Sequence, residues 1–133
     1  MLKPFYKIIL ATALLFPVIA NAEQIKNIDA IDFLTEYEDL QGQMVQLNDC
    51  VAYGVVPDFF ICSLPQKTES SATISVNLTK TPKKQLSYGM KKCGSIMGTE
   101  EEICSATIKG IANKTESGEP NIDAVEVIWN AEH

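Results

Sequence analysis

The spacing of apolar residues changes along the chain, and its N-terminal part has a helical period. In "NIDAIDFLTEYEDLQG" four apolar residues recur three apart: Ile28, Ile31, Leu34 and Tyr37. Asn27 can cap the start of this segment, and Gly42 marks its end. The pattern predicts a short amphipathic helix over about 28–40, with its acidic residues on the solvated faces.

From Met44 onward the period becomes two, which is typical of β-strands. In "MVQLNDCVAYG" one face carries Val45, Leu47, Val51 and Tyr53, and the other carries Gln46, Asn48, Cys50 and Ala52. Four further strands are predicted in "FFICSL", "SSATISVNLTK", "EICSATIKGIANK" and "IDAVEVIW". The third of the five turns Ile74, Val76 and Leu78 inward. The connector before the fourth, "KTPKKQLSYGMKK", includes a predicted turn of helix.

Five short strands with a longer link between the third and fourth follow the order of an OB-fold, a small Greek-key barrel. The stretches "GQMVQLNDCV" and "ATIKGIAN" resemble exported bacterial OB-fold domain proteins, which read "G-x-x-V-x-L-x-G-x-V" and "V-x-G" there. Asp49 stands where that family often has a bulge-forming glycine. The resemblance implies a mainly β, five-stranded OB-like Greek-key barrel behind a short N-terminal helix. The alternative is another small antiparallel barrel or sandwich.

The first residues have the pattern of a secretory signal peptide. Lys3 and Lys7 precede the apolar run 8–20, and Ala20-Asn21-Ala22 fits a small-x-small cleavage box. We therefore expect a signal peptide over 1–22, cleavage after Ala22, and one domain over 23–133. No later apolar run has transmembrane length, so we expect no membrane span after signal removal. The expected location is the periplasm or the exterior of the cell.

The charge of the chain argues against nucleic acid as a partner. All eleven basic residues are lysines, and signal removal leaves nine of them against seventeen acidic residues, a net charge of −8. Such a domain repels phosphate backbones, and without arginine it lacks the planar fork that grips phosphate or guanine.

Four cysteines in an oxidising compartment predict two disulfides, with three possible pairings. A turn centred on Val56 would place Cys50 directly opposite Cys62 on neighbouring strands. Cys93 and Cys104 would then close a ten-residue loop, worth roughly 2–3 kcal/mol in the chain-entropy model. Crossed pairings such as Cys50 with Cys104 stay open, because the first and fourth strands are neighbours in an OB barrel.

Few residues suggest catalysis or metal binding. The chain has no C-x-x-C pair and no G-x-S-x-G or phosphate-binding loop, and its one histidine is the terminal His133. We expect no metal, no cofactor and no enzymatic activity.

Two surfaces are candidates for binding. Phe59 and Phe60 are adjacent on a strand and point to opposite faces, and the OB resemblance implies a ligand face on the second and third strands. An aromatic and cationic surface would comprise Tyr53, Phe59, Phe60, Lys83 and Lys84. Alternatively, the barrel interior and the N-terminal helix cover one phenylalanine each. The other surface is the acidic loop with Glu100, Glu101 and Glu102.

These surfaces correspond to different functions. The leading hypothesis is a non-catalytic periplasmic or secreted binding module for a small molecule, a glycan or a protein partner, acting through the barrel face. The alternative is an acidic secreted inhibitor or immunity-type protein that blocks a basic hydrolase with the glutamate loop. A third hypothesis is that the protein is a small structural component of an envelope complex. The ligand or envelope partner itself is not identified by the sequence.

Overall fold

The computed structural model describes residues 24–65, 72–96 and 100–132. The predicted signal peptide and its cleavage after Ala22 lie outside the described residues, as does His133. Among the described residues, no helix is both long enough and apolar enough to span a bilayer.

Six strands and four short helical segments make up the described chain. The strands are β1 (Lys26–Ile28), β2 (Met44–Tyr53), β3 (Phe59–Ser63), β4 (Thr73–Asn77), β5 (Ser105–Lys114) and β6 (Pro120–Trp129). The helices are α1 (Ala30–Glu36), a 3₁₀ helix (Lys83–Leu86), α2 (Ser87–Lys92) and α3 (Glu101–Cys104).

Strands β2 to β6 close into a barrel. The order is β1-β2-β3-β4-β6-β5, and an additional β2–β5 pairing joins the two sides. The β4–β6 pair is parallel, whereas β2–β3, β3–β4, β2–β5 and β5–β6 are antiparallel. This is the strand order of an OB-like Greek-key barrel, so the predicted fold class is confirmed. The extra strand β1, which pairs parallel to β2, was not predicted from the sequence.

A bulge in β2 changes which of its residues face the core. The β2–β5 register shifts between Leu47 and Cys50, so Asn48 and Asp49 together oppose Thr107 alone. Val45 and Leu47 are buried as predicted, but after the bulge Cys50 and Ala52 are also fully buried. The predicted two faces of this strand are therefore correct only as far as Leu47. Asp49 can occupy the bulge in place of glycine because this bulge needs no positive φ. Among the described residues, only glycines have a positive φ.

The N-terminal helix is shorter than predicted and begins later. Ile28 belongs to β1, and the N-cap is Asp29, whose carboxylate accepts a hydrogen bond from the N–H of Asp32. The helix buries Ala30 and Phe33, whereas Ile31 is exposed. The predicted cap at Asn27 is wrong, because β1 pairing takes 26–28 out of the helix. The predicted apolar face is correct in part, since Leu34 and Tyr37 pack against the core.

The connector between β4 and β5 closes one end of the barrel around Trp129. The indole Nε1 donates to the carbonyl of Gln85 at 2.7 Å, and the ring lies 5.7 Å from those of Phe60 and Tyr88. A Cβ added at Gly89 would overlap the indole, so this helix packs against Trp129 only because residue 89 is glycine. The predicted turn of helix in this connector is thus part of the core.

Both disulfides have the local pairing, Cys50–Cys62 and Cys93–Cys104. The predicted strand register is wrong by two residues, since the partner of Cys62 is Ala52 and the turn is centred near Pro57. The Cys50–Cys62 bridge therefore runs diagonally across β2 and β3, with a Cα–Cα distance of 5.3 Å. The Cys93–Cys104 bridge joins the residue that ends α2 to the last residue of α3, directly before β5.

Candidate ligand-binding groove

A groove with a volume of about 490 Å³ lies on the outer face of the barrel. Its walls come from the start of β3, from β4, from the end of β5, from the start of β6 and from the β5–β6 loop. The lining residues are Asp58, Phe59, Ser75, Asn77, Asn113, Lys114, Thr115, Glu116, Asn121 and Asp123. The volume falls within the range of roughly 300–1,000 Å³ that is usual for small-molecule sites.

The strand register brings these residues together from distant parts of the chain. Phe59 on β3 is the partner of Asn77 on β4, which in turn is the partner of Asp123 on β6. In the neighbouring row, Asn121 on β6 is the partner of both Ser75 and Asn113. Alternate residues of a strand face the same side, so both rows lie on the outside of the barrel.

The Asp123 carboxylate is held in the groove by two side-chain amides. Asn113 Nδ2 donates to its Oδ2 at 2.9 Å, and Asn121 Nδ2 donates to its Oδ1 at 3.1 Å. Asn121 is only 7% exposed, and Asn113 is fixed further because its Oδ1 accepts from the N–H of Lys114 at 2.8 Å. The carboxylate and both carboxamides are therefore preorganised, and a ligand need not order them.

The β5–β6 loop that forms one wall is held by its own hydrogen bonds and by helix α1. Thr115 Oγ1 accepts from the N–H of Glu119 at 3.1 Å, and Gly118 has a φ of +86°, a turn conformation that favours glycine. The hydroxyl of Tyr37 donates to the carbonyl of Gly118 at 2.9 Å. The end of α1 thus supports the wall of the groove from behind.

Phe59 is the aromatic residue that the groove presents to solvent. Its side chain is 48% exposed, although it lies at the start of a strand in a closed barrel. Its neighbour Asn77 is fixed, because Asn77 Oδ1 accepts from the N–H of Thr79 at 3.0 Å. The groove therefore combines one ring with a surrounding set of oriented polar groups.

The predicted aromatic and cationic surface is only partly brought together. Phe59 lines the groove, but Phe60 is fully buried against Trp129 and does not lie on the surface. Tyr53 is half-buried on β2 and is not part of the groove lining. Lys83 Nζ donates to the carbonyl of Pro57 at 2.7 Å, and Lys84 is exposed outside the groove.

The acidic residues of the other predicted surface lie far from the groove. Glu101 and Glu102 form the first turn of α3, Glu100 precedes them, and Glu100 and Glu102 are exposed. This segment leads into the start of β5, whereas the groove lies at the end of that strand. Ten strand residues separate the two by about 30 Å. The two surfaces can therefore be altered independently.

The charge of the groove is negative on balance. Three carboxylates, those of Asp58, Glu116 and Asp123, line it together with one ammonium group, that of Lys114. An anionic ligand would meet net repulsion there, which agrees with the acidic composition of the whole chain. Over residues 24–65, 72–96 and 100–132, no group of three or more His, Cys, Asp or Glu residues could hold a metal ion.

Most of the groove residues were not singled out from the sequence. Asn77, Asn113, Asn121 and Asp123 are polar positions near strand ends, and such residues are common wherever a strand meets a turn. The sequence does carry one usable signal. Ser75 and Asn77 alternate with apolar residues of β4, and Asn121 and Asp123 alternate with apolar residues of β6, so each pair is expected to face outward. Only the closed register shows that these pairs face one groove.

No family model and no curated protein matches the chain. Among solved structures, the chain is similar to the OBody AM1L10 bound to hen egg-white lysozyme, with 18% identity and a TM-score of 0.47. The match covers 71% of this chain and 85% of that one.

Proposed function

We propose that this protein is a non-catalytic binding module that holds its ligand in the outer groove of the barrel. The observation that carries the proposal is the Asp123 carboxylate, fixed by two asparagine amides in the same groove as the exposed ring of Phe59. A preorganised polar cluster and an exposed aromatic residue in one groove suit recognition, since a few placed polar groups set orientation in a binding site. The ligand is a small molecule, a glycan or a segment of a protein partner.

Two features support a role without catalysis. Both oxygens of Asp123 already accept amide hydrogens, so the carboxylate is oriented as an acceptor for a ligand. The groove lining contains no histidine and no cysteine, which are frequent general bases and nucleophiles. The groups that remain are three carboxylates, one ammonium group, amides and hydroxyls, all of which can hydrogen-bond to a ligand.

We also propose that the protein acts in the periplasm or outside the cell. All four cysteines are buried in two disulfides, as expected for an oxidising compartment. The sequence pattern at 1–22 supports export.

The test is to map binding by NMR on the ¹⁵N-labelled protein with a library of neutral polar fragments. We expect hits to shift the backbone amides of Phe59, Asn77, Asn113 and Asp123. The variant Phe59→Ala should weaken those hits at least tenfold. The matched control is Ile128→Ala, which removes an apolar side chain about as exposed as that of Phe59. Ile128 lies near the end of β6, whereas the groove is formed by residues near the start of that strand.

If the hits map elsewhere on the barrel, or if Phe59→Ala and Ile128→Ala have equal effects, the groove is not the binding site. A library that shifts no groove amide would contradict the proposal as well.

The acidic inhibitor is a second candidate, and a specific observation favours it. Glu100 and Glu102 are exposed beside a disulfide that fixes Cys104, so the segment loses little entropy on docking to a basic enzyme. The test is inhibition of a basic lysozyme by the protein. We expect replacement of Glu100, Glu101 and Glu102 by alanine to abolish inhibition, while Phe59→Ala leaves it unchanged. No inhibition by the unaltered protein would reject this candidate.

A further inference from the structure

The shape and chemistry of the groove limit its ligand more narrowly than the function proposed above, on which this inference rests. We infer that the groove binds a neutral saccharide, with one pyranose ring against Phe59 and its hydroxyl groups on Asp123 and the surrounding carboxamides.

The ring of Phe59 selects a ligand that has one flat apolar side. The other nine lining residues are polar or charged, so a wholly apolar ligand would leave their hydrogen-bonding groups without water or partners. A pyranose has an apolar face of C–H groups, which a ring face attracts through its negative quadrupole, and a rim of hydroxyls. One exposed ring within a polar border matches that amphipathic shape.

The polar border offers the hydrogen-bonding groups that hydroxyls need. A hydroxyl both donates and accepts, and an ionised carboxylate accepts about four hydrogen bonds. Asp123 accepts two from Asn113 and Asn121, which leaves acceptor capacity on both of its oxygens. Vicinal hydroxyls of a sugar can donate to those oxygens without any rearrangement of the network.

The distance between these elements suits one or two sugar rings. Phe59 and Asp123 lie on β3 and β6, with Asn77 of β4 between them in the same row. Two strand spacings of about 4.8 Å separate them by roughly 10 Å. A ring that packs on Phe59 therefore reaches Asp123 with its hydroxyls or through an adjoining ring.

The charges of the groove choose a neutral saccharide over an acidic one. Asp58, Glu116 and Asp123 outnumber Lys114, so uronic acids, sialic acids and phosphorylated sugars meet repulsion. Nucleotides are disfavoured for the same reason. A basic peptide or protein would be attracted, and it is therefore the competitor that the experiment must separate.

The experiment combines an array of neutral oligosaccharides with NMR titrations. The array hits, N,N′-diacetylchitobiose, cellobiose and maltose are titrated into the labelled protein, beside adenosine and arginine as stacking and cationic controls. We expect at least one neutral saccharide to shift the amides of Phe59, Asn77 and Asp123. Phe59→Ala should weaken that binding at least tenfold, Phe59→Trp should retain it, and Ile128→Ala should leave it unchanged.

The outcomes separate this inference from the function on which it rests. If adenosine, arginine, a basic protein or a non-sugar fragment shifts the groove amides while no saccharide does, the saccharide assignment is wrong and the binding module stands. If no probe of any kind shifts those amides, both are wrong. If a saccharide binds but Phe59→Ala and Ile128→Ala affect it equally, the assigned contact with Phe59 is wrong.

Discussion

The backbone N–H of Ala30 donates a hydrogen bond to the Asp49 carboxylate at a distance of 2.9 Å. Ala30 is the first residue of helix α1, and Asp49 lies in the bulge of β2. The bulge therefore does two things: it curves the strand, and it presents a side chain that satisfies a backbone donor at the helix N-terminus.

This bond predicts a contrast between two substitutions of Asp49. Asp49→Ala removes the acceptor and should lower the free energy of unfolding by about 1 kcal/mol, the usual effect of losing a helix cap. Asp49→Asn keeps a side-chain oxygen for the Ala30 N–H and should not show this loss. Urea denaturation followed by circular dichroism measures both. Equal destabilisation by the two variants would contradict the role of the bond.

The same carboxylate predicts a pH dependence. Burial raises the pKa of Asp49 above its ordinary value of 3.8, with smaller contributions from Asp29 and Asp32, while the Ala30 N–H lowers it. The protonated form thus favours the fold. Its contribution is complete below the ordinary value and is lost as the pH rises through the folded pKa. Asp49→Asn should therefore stabilise the protein at pH 7 relative to wild type, and this advantage should shrink as the pH falls towards 3.8.

Denaturation of wild type and Asp49→Asn at a series of pH values between 3 and 7 measures this difference. An advantage that is constant with pH, or that grows on acidification, would contradict the raised pKa.

The contact between α2 and Trp129 predicts a large effect of a single methyl group. A Cβ at residue 89 would overlap three atoms of the indole, so Gly89→Ala should cost about 1–3 kcal/mol or more through overpacking. Ser87→Ala is the matched control, because Ser87 is exposed in the same helix and should be close to neutral. Thermal denaturation measures both. A Gly89→Ala variant as stable as Ser87→Ala would show that this end of the barrel is loosely packed.

The Cys93–Cys104 bridge predicts a loss of stability that depends on redox state. Replacing both residues with alanine should lower the free energy of unfolding by about 2–3 kcal/mol, because the open loop has more conformations in the unfolded chain. Under strong reduction this bridge is absent from wild type too, so the difference between the proteins should become much smaller. A difference that persists after reduction would assign the loss to side-chain packing.

The amide network of the groove predicts a spectroscopic change. Asp123→Ala removes the acceptor of both Asn113 and Asn121. Their side-chain NH₂ resonances should move towards random-coil positions and exchange faster with water, since a fixed hydrogen bond no longer holds them. Asp58→Ala removes another carboxylate of the groove and serves as the control, with no change at these two resonances. If the NH₂ signals are unaffected by Asp123→Ala, the groove is not preorganised.

The strands could be predicted from the sequence, because they depend on patterns that are local along the chain. Ile74, Val76 and Leu78 are buried as their alternation predicts, and the five barrel strands lie close to where period two indicates. The predicted fourth strand is wrong at its start, because residues 102–104 belong to helix α3.

The favoured disulfide pairing is confirmed, but the strand register used to argue for it is wrong and the sequence left crossed pairings open. The register of β2 and β3 could not be predicted, since it is set by the turn between them, which is centred near Pro57 and not on Val56. The change of face within β2 could not be predicted either, because the bulge opposite β5 inserts a residue without a glycine to mark it.

The predicted start of helix α1 was wrong for a related reason. Ile28 fits the apolar period of the helix, but its burial comes from β1, which exists only because β2 lies beside it. Competition between local helix formation and distant strand pairing is not visible in a short stretch of sequence.

The groove could be predicted only through Phe59. The other strand residues that line it are polar side chains of β4, β5 and β6. Taken one at a time, each resembles an ordinary strand-end residue. The parallel pairing of β4 with β6, which joins segments more than forty residues apart, is what gathers them. That pairing follows from closing the barrel and from no local pattern.

The chain contains one tryptophan, and it lies where the helical connector meets the barrel. Its indole is buried, hydrogen-bonded to the carbonyl of Gln85 and flanked by Phe60 and Tyr88. Its fluorescence therefore reports on the contact between the connector and the barrel. Separation of the connector from the strands would expose the indole to water and shift its emission to longer wavelength, even while the strands stay paired. Without any label, the protein therefore carries an optical probe that distinguishes opening of this end from unfolding of the barrel.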